Sequence, residues 1–159
     1  MIPLLALLFL VVFASFTCSV LEASLLSTPM SFVTMKEDEG SKTACRLKKY
    51  KQDIDKPISA ILTVNTIANT AGAAGVGAMA AAQFGDAAVG WFSAGLTVLI
   101  LVFSEIIPKT IGATYWRHII LRFTPLIHFL VIITYPFVLL AELITNFIQP
   151  DAAPASVSR

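Results

Sequence analysis

"LVFSEIIPKTIGATYW", residues 101–116, sets Glu105, Pro108 and Lys109 within five positions at the end of an otherwise apolar run. Reading backward, the run covers residues 88–107, long enough to cross a hydrocarbon core of about 30 Å as a helix. The composition agrees, with 57% hydrophobic and 13% charged residues against a charged share of about 25% in soluble domains. A net charge of +1 gives no global basic field for nucleic acid, which is not an expected partner. Cys18 and Cys45 are too few for a disulfide scaffold or a zinc site and read as unrelated free thiols.

Working outward, residues 2–26 form a first apolar block of spanning length. A signal peptide fits less well, since no Lys or Arg precedes the apolar stretch and the stretch is long. Residues 36–56 hold seven of the eleven basic residues, so the positive-inside rule makes this segment cytoplasmic. The first helix then starts outside, residues 31–56 lie inside, and residues 57–83 run outward as a second span opened by Pro57. "FGDA" at 84–87 is a tight turn, and the third span returns inward, bringing Glu105 close to its inner end.

Residues 119–148 are apolar but interrupted by Pro125 and Pro136. Arg117 and Arg122 start the segment on the cytoplasmic side. A proline-broken pair of shallow helices that never crosses is expected over a fourth span, with the C-terminus cytoplasmic. Residues 149–159 read as a disordered tail. The fold class expected is thus all-α and integral to the membrane, with three transmembrane helices and this helical pair.

Polar residues inside the spans mark an interior. Ser15, Ser19 and Glu22 recur at i, i+4 and i+7, and Asn65 and Asn69 are four apart, so each set shares a helix face. Ser104 and Glu105 lie on the third span. Ser15 and Ser27 have an ordinary reading as hydroxyls bonded one turn back, and Gly72, Gly75 and Gly77 as small residues for close helix packing. An intramembrane carboxylate costs a few kcal/mol, which makes Glu105 a functional candidate. Glu22 has the alternatives of snorkelling toward the inner surface or pairing with Lys109.

Pro108 has no N–H and its ring crowds the carbonyl of Ser104, so the helix is expected to break there and leave a carbonyl free beside the carboxylate. The donors are hydroxyl, amide, carboxylate and carbonyl oxygens, a set for Mg²⁺, Na⁺ or Ca²⁺ rather than a soft metal.

These motifs resemble those of the CorC and cyclin M magnesium transporters. "SEIIPKTIGA" is similar to the family's G-E-[IL]-[IL]-P-K-T, "VNTIANT" to G-N-T-x-x-N, and "SVLEASLLS" to the F-S-x-x-E-x-A-L-x-S of its first helix, in that order along residues 5–148. Ser104 and Val64 stand where the family has glycine. The resemblance implies a homodimeric transmembrane domain over residues 1–148, with three spans, a short cytoplasmic-side helical pair and a juxtamembrane helix. It implies Mg²⁺ export driven by Na⁺ entry, with ion ligands at Ser19, Asn65, Asn69 and Glu105. Glu22, Ser27, Ser104, Thr66 and Lys109 are candidate additional ligands or gating groups. The family's nucleotide-binding CBS modules are not expected within these residues, and neither is nucleotide binding.

The function expected is that of a multi-pass plasma-membrane magnesium transporter, not an enzyme: His118 and His128 stand alone, with no catalytic constellation around them. A membrane-embedded Mg²⁺-binding scaffold or sensor that moves nothing is the alternative. "KTACRLKKYK" at 42–51 is a basic stretch able to meet anionic lipid head groups.

Overall fold

Proline near its start and a largely apolar run make α1 (Ile2–Ser27) a helix of spanning length. In the computed structural model, residues 1–137, Leu139, Leu140 and Leu143 are described, apart from the side chains at 86 and 88. The expected tail at 149–159 lies outside the described residues, among which every regular element is helical.

The basic segment folds as two short helices, α2 (Met30–Asp38) and α3 (Lys42–Gln52), with the Ser41 hydroxyl accepting from the Ala44 N–H at 3.3 Å to cap the second. The long α4 (Asp55–Phe84) ends at Gly85, whose φ of 81° is open to glycine at little steric cost. This is the turn expected at 84–87. Beyond it α5 (Asp86–Leu99), a π-helical segment (Ile100–Ile106) and α6 (Ile107–Ile133) run on end to end.

The break expected at Pro108 is absent. The Ile107 N–H bonds to the Val102 carbonyl, five residues back, and Ile106 and Ile107 keep helical dihedrals. Widening the turn shifts the hydrogen-bond register by one residue, so the chain accommodates the missing N–H and the ring without leaving the helix. The deviation falls instead at Tyr115 (φ −105°, ψ 20°). Nor does Pro125 divide 119–148 into a pair, since it lies inside α6, where the Thr124 hydroxyl bonds the Ile120 carbonyl. A break does fall just before Pro136, where α6 ends at Ile133 with Thr134 as its C-cap and residues 135–137 are helical again; of the remainder of 119–148, residue 138 and most positions after Leu140 lie outside the described residues.

Two stretches are long and apolar enough to cross a membrane, Ile2–Ser27 and Val89–Ile133. The second has 45 residues, which would extend about 68 Å at 1.5 Å per residue, more than twice a hydrocarbon core. The kink at Tyr115 divides it. Helix α4 has the length, with 30 residues, but its two asparagines and many small residues dilute its apolarity.

The packed core sits at the polar end of the bundle. Cys18, Leu21 and Leu25 of α1 cluster with Val33 of α2, Leu47 of α3, Ile61 of α4 and Ile120 and Ile127 of α6. The first turns of α6 dock on the last turns of α1, where the Ser24 hydroxyl donates to the Gly112 carbonyl at 3.1 Å. A Cβ at position 112 would lie 2.9 Å from that of Ala23 and 2.5 Å from the Val20 carbonyl, so only glycine permits this approach. Contacts of Trp116 with Phe32, His128 with Tyr50 and Tyr135 with Lys56 then keep the rest of the segment against α2, α3 and the start of α4. Toward its N-terminus α1 is bare, with Ile2, Leu5, Phe9, Leu10 and Phe13 exposed, as is Trp91 of α5. Beneath α1, Gly72 and Gly75 of α4 meet Val11 and Leu7, as close-packing residues should, while the space beside Gly77 is open.

Candidate ion-binding site

Ser15 and Ser19 of α1 and Ser104 of the π segment are wholly buried. Ser15 Oγ donates to Asn65 Oδ1 at 2.7 Å, and Asn69 Nδ2 reaches the same oxygen at 3.5 Å. From the π segment, Ser104 Oγ approaches the Val12 carbonyl of α1 at 3.4 Å. All three elements are thereby joined through polar groups.

Two oxygens at this junction have no hydrogen-bond partner: among the described residues, only Ser19 Oγ and Asn69 Oδ1 are buried side-chain polar atoms left unmatched. Leaving a buried polar group unmade costs about 1–3 kcal/mol. Because Asn69 spends its amide N–H on Asn65, its carbonyl oxygen is the free end. Ser19 lies four residues, about 6 Å, further along α1 than the bonded Ser15.

Glu105 is half-buried, and among the described residues it makes no hydrogen bond or ion pair. In a regular helix it would face Lys109 four residues on. Lys109 Nζ instead lies 3.6 Å from the Glu22 carboxylate of α1, whose side chain is 16% exposed. Glu22 is thus paired with Lys109, and Glu105 on the π segment is left without an ion pair among the described residues. Ser27 and Thr66 are exposed.

The donor set is therefore two free neutral oxygens, a bonded serine–asparagine pair and one unpaired carboxylate. No group of three or more His, Cys, Asp or Glu side chains able to hold a metal occurs among the described residues, so a thiolate- or imidazole-rich centre is not built here. Hard cations, which take oxygen ligands and in the case of Mg²⁺ keep several waters, suit what is present.

Sequence reasoning undervalued Ser15, treating it as a hydroxyl bonded to its own helix. Its spacing of four from Ser19 was the available signal. The two cysteines are free, Cys18 buried and Cys45 exposed.

Matching the chain against protein-family models aligns residues 5–156 with the cyclin M transmembrane N-terminal domain. The chain belongs to this family. Among curated proteins, this cyclin M domain is similar to the UPF0053 protein sll1254 of Synechocystis, with 38% identity over 146 residues, 92% of this chain and 42% of that one. It is 32% identical over 111 residues to the UPF0053 inner membrane protein YfjD of Escherichia coli, covering 70% of this chain and 26% of the relative. A UPF0053 protein of Haemophilus influenzae is 30% identical over 125 residues, 79% of this chain and 30% of its own length. The chain thus spans less than half the length of each of these relatives.

Proposed function

We infer that these residues form the ion-binding transmembrane core of a magnesium transporter that exports Mg²⁺ as Na⁺ enters. The observation that carries this is the pair of unmatched buried oxygens, Ser19 Oγ and Asn69 Oδ1, at the junction of three helical elements with an unpaired Glu105. Glu105 supplies charge; Ser19, Asn65 and Asn69 replace part of the ion's hydration shell. Membership of the cyclin M family supports the reading, as does the inner-membrane description of the Escherichia coli relative.

In this reading α4 is the second of three spans, hidden from an apolarity criterion by the asparagines it contributes to the site. The basic helices α2 and α3 face the cytoplasm under the positive-inside rule. The described residues from Trp116 to Tyr135 stay on that face, held by the contacts of Trp116, His128 and Tyr135. The exposed apolar surface of α1 and α5 meets lipid and a second copy of the chain.

The test is Mg²⁺ flux in vesicles carrying the purified chain, with and without a Na⁺ gradient, for wild type, Glu105→Gln and Asn69→Ala. Gradient-dependent flux in the wild type, lost in both variants, is expected. Binding without flux in the wild type would overturn transport by these residues and favour the Mg²⁺-binding sensor.

A further inference from the structure

A groove of about 370 Å³ lies between α3 and the far half of α6, lined by Lys42, Cys45, Arg46, Lys49, Tyr50 and His128. Lys42, Arg46 and Lys49 fall at i, i+4 and i+7 and so share a helix face. Other cations of the α2–α3 pair are answered: Lys36 by Glu39, Lys48 by Glu37, and Lys51 by the Leu25 carbonyl. Among the described residues, Lys42, Arg46 and Lys49 have no ion pair or hydrogen bond, and no carboxylate lines the groove. Like charges at this spacing repel one another along a helix, and an anion seated among them removes that repulsion.

The floor of the groove is fixed. Tyr50 is 9% exposed, and its hydroxyl lies 2.6 Å from His128 Nδ1. Burial pushes the Tyr50 phenol above its ordinary range. The bond ties the phenol to the imidazole whichever of the two carries the shared proton. The guanidinium fork of Arg46 and the ammonium groups of Lys42 and Lys49 are donors only, which suits an oxygen-rich tetrahedral anion.

We propose that this groove binds a phosphoryl anion. That chemistry has two sources, the phosphate of a lipid head group and a free phosphate compound. The inference is independent of the transport reading, since none of its residues belongs to the α1–α4 junction.

The test uses the full chain in phosphatidylcholine nanodiscs, titrated with dioctanoyl phosphatidic acid and, separately, with inorganic phosphate. Saturable binding is expected, weakened on the order of a hundredfold in Lys42→Gln/Arg46→Gln/Lys49→Gln, at about a factor of five per cation. Lys36→Gln/Lys48→Gln, which removes charge from the same two helices but not from the groove, should weaken it by less than about threefold. Tighter binding of the lipid assigns the site to a head group, and equal affinity assigns it to free phosphate. No saturable binding of either probe, or equal losses in the two charge variants when both keep the wild-type circular dichroism spectrum, would overturn the proposal.

Discussion

At the polar end of α1, Leu21 and Leu25 are closed over by four other helices, Ser24 is answered by the Gly112 carbonyl, and Glu22 by Lys109. One turn toward the middle of the same helix, Ser19 is as fully buried but answered by nothing. Ser24 and Ser19 are both fully buried, and only Ser24 has a partner. The difference therefore does not come from exposure of the hydroxyl; it marks a place where the chain withholds a hydrogen bond that it makes elsewhere. Other hydroxyls divide by residue type. Thr17, Thr28, Thr63, Thr97, Thr110, Thr124 and Thr134 each bond the carbonyl four residues back, whereas Ser15, Ser24 and Ser104 reach across to another helix.

The largest effect belongs to the closed region. Leu47 of α3 is fully buried in the shared core, so Leu47→Ala should cost about 2–5 kcal/mol, while Leu10→Ala on the exposed part of α1 should stay within about 0.5 kcal/mol. Thermal unfolding in detergent measures both, and similar losses would erase the contrast between a packed and a bare end.

A smaller effect sharpens the contrast within the site. Asn65→Ala strands the Ser15 hydroxyl and the Asn69 amide, at about 1–3 kcal/mol, and should abolish Mg²⁺ binding by calorimetry. The exposed neighbouring Thr66→Ala should change neither quantity.

The smallest effect is electrostatic and lies on the paired helices. A hydrogen bond and the charge of Glu37 raise the Lys48 pKa above its ordinary value of 10.5. Its contribution is therefore complete below that value and is lost as pH rises through the folded-state pKa. Burial lowers the Lys51 pKa, so its contribution runs the other way, and stability rises as pH passes from the folded value to the unfolded one. Stability curves of Lys48→Gln and Lys51→Gln between neutral and strongly alkaline pH should diverge from wild type in opposite senses.

Length and apolarity made α1 legible, and "FGDA" the turn after α4, because those features depend on residues close in the chain. The asparagine pair was legible for the same reason, as spacing on one face. Pro108 was not. A proline's cost can be absorbed by re-registering hydrogen bonds over the preceding turn, and whether it is depends on how tightly α1 holds the π segment through Ser104 and α6 through Gly112. The continuity of α6 through Pro125 and the groove at Tyr50 and His128 likewise depend on docking between segments far apart in sequence.

Thermal stability of Ser19→Ala, without and with Mg²⁺, tests most directly whether the unmatched oxygens are held for an ion. Deleting a buried hydroxyl that has no partner should raise stability in the absence of Mg²⁺ by about 1 kcal/mol while reducing the stabilisation that added Mg²⁺ confers on the wild type. A variant that is less stable without Mg²⁺, or one that gains as much from Mg²⁺ as the wild type, would contradict the account.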